Sequence, residues 1–302
     1  MTVSSQDDEV YCTVSSTLPL NFTTSAYSRD PQLILNDEYL AGTESASSSH
    51  ARQKLYPLIQ FTQQELSSSL EVYEMQNAYD HLLPTLPLAN TDPMSPAETL
   101  MGRPDLAETF TKLHLWRQTQ FRRILYLDAD TLPLRAPDEL FALPHAFAAA
   151  PELGFPDCFN SGVMLLEPCR QTYQALLRRA GCLDDDNDDD DDDHSGTNEH
   201  TPTPAPSFDG GDQGLLNAHF PAFHRLSACY NLELHHVYRI YMPAFHHFRP
   251  RLALVHFIGR VKPWHLGPRG SIAAAAAAPE DSAYARLYDD FVARWWAVYR
   301  SL

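Results

Sequence analysis

Ile124-Leu125-Tyr126-Leu127-Asp128-Ala129-Asp130 is the stretch on which the reading of this chain turns. Four apolar residues in a row, with no polar alternation, are how a strand buried on both faces of a parallel sheet reads. Two carboxylates follow at its carboxyl end, which is where open α/β sheets present their ligand crevice. Paired aspartates on a loop can hold a hard divalent cation through oxygen, and such a cation can neutralise a departing diphosphate. An isolated Asp-x-Asp is equally well read as a turn whose carboxylates cap the next segment, so the surroundings have to decide.

Outward from this run, strands and helices alternate. Leu106 to Gln120 has helical spacing with Phe110, Leu113 and Trp116 on one side, and it leads straight into the apolar run. Asp138 to Leu143 predicts a short helix, Gly162 to Leu166 a second buried strand, Cys169 to Ala180 an amphipathic helix, and Leu252 to His256 a further strand. Upstream, Glu9 to Thr13 and Lys54 to Gln60 read as strands, and Gln63 to Tyr79 as a helix through Leu66, Leu70, Tyr73 and Met75. A closing helix is expected over Ser282 to Tyr299, with Tyr284, Leu287, Phe291, Trp295 and Val298 at helical spacing. The alternation predicts an α/β fold with a mainly parallel central sheet flanked by helices. At 302 residues and 44% hydrophobic, the chain suits one large domain rather than two small ones.

Two segments break the pattern. Val14 to Gln32 is a Ser/Thr/Pro-bearing stretch with neither helical nor strand spacing. Deleting it would join Val10-Tyr11-Cys12-Thr13 to Leu33-Ile34-Leu35 in one strand, so residues 14–32 are expected to be a non-native insertion of the kind a retained intron leaves. Residues 182–207 combine an aspartate run with Thr-Pro-Thr-Pro-Ala-Pro, a composition expected to form a disordered surface loop.

The aspartate run also explains the charge. The formal net charge is −17, and removing the nine aspartates at 184–186 and 188–193 leaves −8, which is no footprint for a nucleic acid. Five cysteines without metal-type spacing fit reduced thiols in the cytoplasm. Met1 to Glu9 is polar and acidic, unlike a signal peptide, and no apolar run approaches the ~20 residues that span a bilayer, so no membrane partner is expected.

Three further motifs could surround the same crevice: Phe159-Asn160-Ser161-Gly162-Val163, the glycine-rich acidic loop Asp209-Gly210-Gly211-Asp212-Gln213-Gly214, and Val255-His256-Phe257-Ile258-Gly259-Arg260-Val261-Lys262-Pro263-Trp264. Together with Leu127-Asp128-Ala129-Asp130-Thr131, and in this order, they resemble the glycogenins of glycosyltransferase family 8, over about Arg103 to Trp264 and through the Trp295-Trp296 helix.

That resemblance implies a GT-A nucleotide-sugar fold and retaining transfer of glucose from UDP-glucose to the protein's own tyrosine. It implies Asp128, Asp130 and His256 as manganese ligands, and Lys262, Arg103 and Lys112 as cationic donor contacts. Asn160, Asp209, Asp212 and Gln213 would hold the glucose, Asp212 being the catalytic carboxylate. Ala129, Ser161 and Gly259 would complete the donor contacts, and Leu33, Leu35, Asn36 and Tyr39 would meet the nucleotide. The acceptor region, Tyr230 to Pro243, departs from the family by one residue: counting forward from Asn231 gives Tyr238, counting back from Pro243 gives Arg239, and Tyr241 is the fallback. A homodimer is also implied. Glycogen synthase is a candidate partner, but the chain stops at Leu302 without the family's recruiting tail, which leaves that partnership open. A family 8 transferase with a separate small acceptor, or a silent scaffold, are the competing expectations.

Overall fold

The computed structural model describes residues 9–14, 58–63, 81–90, 95–102, 104–183, 207–234, 242–259, 261–268, 271 and 283–300. The expected nucleotide contacts Leu33, Leu35, Asn36 and Tyr39, the cation Arg103, the acceptors Tyr238 and Tyr241, most of the 14–32 and 182–207 segments and the expected helix at 63–79 lie outside the described residues.

Among the described residues, ten strands form two sheets: β1 (Glu9–Val14), β2 (Leu58–Gln63), β3 (His81–Thr85), β4 (Arg123–Leu127), β5 (Thr131–Pro133), β6 (Phe147–Pro151), β7 (Phe159–Leu166), β8 (His224–Arg225), β9 (Leu232–Glu233) and β10 (Leu254–His256). The larger runs β3-β2-β1-β4-β7-β6-β8 and the smaller β5-β10-β9. β1, β2, β3 and β4 pair in parallel, as do β6 and β8, while β7 runs antiparallel to both of its neighbours. The mainly parallel sheet expected from the sequence is therefore present. The reversal at β7 is invisible in the sequence, because a doubly buried strand carries the same apolar run in either direction.

Every residue of β4 is buried, as its composition demands, and its side chains alternate between two cores. Ile124 and Tyr126 join Phe110, Leu113, Trp116, Met164 and Leu166 on one face. Leu125 and Leu127 join Leu140, Phe141, Val163, Leu165 and Leu254 on the other, between the two sheets. The first face is covered by α1 (Arg170–Arg179) through Leu176 and Leu177, and by α2 (Asp212–His219) through Leu215 and Leu216. The smaller sheet packs Leu132, Val255 and Phe257 against α3 (Met242–Phe248) and α5 (Ala283–Arg300), with Phe291 and Trp295 at the centre; α4 (Pro263–Leu266) lies between those two helices in sequence.

Three local expectations need correction. The helix expected over Leu106 to Gln120 is a 3₁₀ helix over Pro104–Arg117, tighter than the 3.6-residue period of an α-helix, and Asp138–Ala142 is 3₁₀ as well. Phe147–Pro151 is a strand that was not anticipated; its run of small residues, Ala148 to Ala150, is weak in β-propensity and is held by packing. The glycine-rich loop ends early, because α2 begins at Asp212 with Gly211 as its N-cap.

Candidate functional site

The Asp128-Ala129-Asp130 turn passes from β4 in the larger sheet to β5 in the smaller one. Main-chain bonds fix it. Asp128 N donates to Gly162 O at 2.7 Å, Thr131 donates to Asp128 O through its N–H (3.1 Å) and its hydroxyl (2.8 Å), and Phe257 N donates to Asp130 O at 3.0 Å. The carboxylates are thus presented where β4, β7 and β10 converge.

His256 ends β10 beside them. Its Nε2 lies 3.1 Å from Asp130 Oδ1 and 3.8 Å from Asp128 Oδ2, and ligand atoms of the three residues lie within 4.8 Å of one another. Two lysines close the cluster. Lys112 Nζ bridges Asp128 Oδ1 at 2.9 Å and Asp212 Oδ2 at 2.8 Å, and Lys262 Nζ donates to Asp130 and, at 2.8 Å, to Phe257 O. Three carboxylates face two ammonium groups, so the site carries room in its charge for a further cation.

The electrostatics follow from this crowding. Burial pushes Lys112 down, but Asp128 and Asp212 outweigh it and hold the ammonium above its ordinary range, so it stays charged. Burial pushes the Asp130 carboxyl up, but His256 and Lys262 outweigh it and hold it well below the usual carboxylate range. Burial, and then the Asp128 charge, raise the Tyr126 phenol well above its ordinary value, so it keeps its proton and donates it to Asp128 Oδ1 at 2.6 Å.

The amides expected on the sugar side meet at a residue the sequence reading missed. Glu152 Oε2 accepts from Asn160 Nδ2 at 3.0 Å and from Gln213 Nε2 at 3.1 Å, and Gln213 Oε1 accepts from Ser161 N at 3.2 Å. Behind Glu152 sits Glu233 on β9, fully buried, whose carboxyl is pushed up to about 9 by burial and then by the hydrogen bond and charge of Glu152. One acid of this pair is neutral near pH 7 and the other accepts. Asp209 is tied into its own loop: its Oδ1 accepts from Ser207 Oγ (2.7 Å), Gly211 N (2.9 Å) and Gly214 N (3.0 Å), so that oxygen braces the loop.

Of the expected site residues that the structure describes, Lys112, Asp128, Asp130, Asp212, His256 and Lys262 meet in one ion-pair cluster. Asn160, Ser161 and Gln213 form the adjoining amide group, Ala129 lies within the turn, and Gly259 follows β10 with φ of +96°. Glu152, Glu233, Tyr126 and Asn231 were missed. Only Tyr126 left a signal, standing two residues before Asp128 on one strand face.

The donor set suits a hard divalent cation. Two carboxylates and one imidazole nitrogen converge, and a buried amide, Asn231, occupies the other ring nitrogen at 3.0 Å, which leaves Nε2 aimed at the carboxylates.

Residues 59–266 match the profile of glycosyl transferase family 8. The chain belongs to that family. It is 41% identical over 272 residues to the glycogenin of Neurospora crassa, covering 88% of this chain and 34% of that protein. It is 33% identical over 271 residues to glycogenin-1 of Mus musculus, covering 87% of this chain and 73% of the mouse protein. The chain thus spans about a third of the Neurospora relative's length. Among solved structures, the apo bifunctional glycosyltransferase WbbM shares the fold with a TM-score of 0.50 at 13% identity, over 87% of this chain and 48% of that one. Among the described residues, no helix is long and apolar enough to cross a membrane.

Proposed function

We propose that this chain is a manganese-dependent, retaining glucosyltransferase of the glycogenin kind. It takes glucose from UDP-glucose, attaches it to its own tyrosine, and extends a short α-1,4-glucan that primes glycogen. Tyr238 is the proposed acceptor and Tyr241 the fallback. The observation that carries this reading is the convergence of Asp128, Asp130 and His256 beside the cations Lys112 and Lys262 and the carboxylate Asp212. Likeness to glycogenins over most of the chain supports the choice of UDP-glucose as donor and of an own tyrosine as acceptor. We take the chain to work as one glycosyltransferase domain, in the cytoplasm and as a homodimer, with glycogen synthase as a candidate partner that a binding experiment has to decide.

Asp128, Asp130 and His256 would hold the metal, which supplies positive charge against a departing diphosphate. Lys262 and Lys112 add fixed positive charge on the same side, Lys262 by exchanging its bond to Asp130 for a phosphate oxygen. Asn160 and Gln213 present amide groups to sugar hydroxyls, with Glu152 fixing their direction. Retaining transfer runs through a covalent double displacement or a front-face attack within an ion pair, and both develop positive charge at the anomeric carbon. The Asp212 carboxylate, positioned by Lys112 at the start of α2, can stabilise that charge.

Intact-mass spectrometry of protein incubated with UDP-glucose and manganese tests the reading. Successive hexose increments are expected, lost in Asp128→Ala/Asp130→Ala and blocked at the first step in Tyr238→Phe, or in Tyr241→Phe if that residue is the acceptor. Donor hydrolysis without any increment would point to a separate acceptor. Neither hydrolysis nor increment would leave a silent scaffold and refute the reading.

A further inference from the structure

The direction of one main-chain N–H determines which nitrogen of His256 is free. Gly162 N can only donate, and it donates to an Asn160 side-chain atom at 2.9 Å, so that atom is the carbonyl Oδ1. The other end of Asn160 is then its NH2 group, which finds the acceptor it needs on Glu152 at 3.0 Å. Asn231 approaches the same Asn160 Oδ1 at 2.9 Å, so it presents its own NH2 there and turns its carbonyl to His256 Nδ1, 3.0 Å away. A carbonyl demands a hydrogen on Nδ1. With Nδ1 committed to that hydrogen, Nε2 is the nitrogen left to face Asp128 and Asp130, where its lone pair can be given to a metal.

We propose that Asn231 is a positioning residue that sets the tautomer and angle of His256 and the orientation of Asn160 with one side chain, so that the metal half and the sugar half of the site are built as a unit. The inference rests on the functional reading above. Asn231 suits this role because it is fully buried, and its own N–H donates to Ala228 O at 3.1 Å, which pins its backbone at the end of the short turn Ala228–Tyr230. Both ends of its amide bond inside the protein, Nδ2 to Asn160 and Oδ1 to His256. Partners behind a metal-bound histidine commonly affect metal affinity by roughly 10- to 100-fold. Here the same partner also anchors an amide on the sugar side.

The test is Asn231→Leu, which keeps the volume and removes both bonds, with Asn231→Ala as a second variant in which a void replaces them. Manganese affinity is read from the free-ion electron paramagnetic resonance signal in the presence of UDP, with no turnover. Leu252→Ala, a cavity in the neighbouring core that touches none of these amides, controls for lost stability. We expect the Asn231 variants to weaken manganese by roughly 10- to 100-fold, while Leu252→Ala stays within about twofold at a matched fall in melting temperature. At saturating manganese, kcat for UDP-glucose hydrolysis should still fall, by about tenfold or more, with the UDP affinity within about twofold, because misplaced sugar contacts act on the reacting geometry. Folded variants that bind manganese and turn over as the wild type overturn the proposal, and so does failure of both to fold, which would make Asn231 structural only. Wild-type protein that binds no manganese would overturn the functional reading and this inference together.

Discussion

Adding a single methyl group at Gly162 should disable the site. A Cβ built there would lie 2.3 Å from His256 Cε1, 2.8 Å from His256 Nδ1 and 2.9 Å from Asn160 Oδ1. Carbon atoms in contact prefer about 3.5–4.0 Å, so the imidazole has to retreat by roughly 1 Å or more. It has little room, being 4% exposed and bonded to Asn231. Metal–ligand distances tolerate only about 0.2 Å, so that retreat removes Nε2 from the donor set. Gly162→Ala should weaken manganese binding at least tenfold, lower kcat by about 100-fold and cost about 1–3 kcal/mol through overpacking. Isothermal titration with manganese and UDP, thermal melting and initial rates of UDP-glucose hydrolysis measure the three quantities. Gly154→Ala, where a Cβ would meet nothing within 4 Å, is the matched control and should change none of them beyond about 0.5 kcal/mol. A Gly162→Ala protein that keeps manganese affinity within twofold of wild type would refute the placement of His256 against β7.

Three other outcomes follow from the same geometry. Lys112→Met should destabilise the protein by about 3–5 kcal/mol in urea unfolding, because the buried Asp212 carboxylate loses its partner and Asp128 loses one of its own. Gly214→Ala, whose Cβ would meet Asp209 Oδ1 and Ser207 Oγ at 2.5 Å each, should impair UDP-glucose hydrolysis while leaving manganese–UDP affinity within about twofold, separating sugar loop from metal site in one titration. Glu233 has a folded pKa of about 9 against an ordinary 4.5, so its stabilising effect is complete below pH 4.5 and is lost as pH rises towards 9. Wild-type melting should thus fall across that window, by up to ~1.4 kcal/mol per pH unit, and Glu233→Gln should flatten the slope and be the more stable protein at pH 8.

The parts of this molecule legible in the sequence are those that depend on local pattern. Ile124 to Leu127 announced a central strand because burial on both faces leaves no polar position, whereas Asp128 and Asp130, equally readable as a capping turn, announced a site only beside the motifs around Asn160, Asp212 and His256. The 3₁₀ geometry of Pro104–Arg117 was not legible, since Phe110, Leu113 and Trp116 fit either helical period. Neither was the reversal of β7, which depends on a partner rather than on its own residues. Asn231 served the sequence reading only as a place to count from, and nothing local distinguishes an asparagine in a turn from one whose amide joins two halves of a site. Glu152 and Glu233 were hidden for a related reason: separated by eighty-one positions, they are paired only by the fold.

The convergence on β7 has a physical cause that lies in one residue. Gly162 accepts from Asp128 N at 2.7 Å and so positions the metal-binding turn. It donates to Asn160 Oδ1 at 2.9 Å and so orients the sugar-side amide and, through Asn231, the ring of His256. Its missing side chain leaves the space that ring occupies. The carbonyl, the N–H and the absent Cβ thus each serve a different residue of the same site, and the backbone of any residue could supply the first two. Only the third requires glycine. A substitution here should therefore leave the Asp128 turn in register while displacing His256. The manganese signal should report the loss of a nitrogen ligand with the carboxylate pair intact, a separation that would not arise if Gly162 were simply a flexible point in the strand.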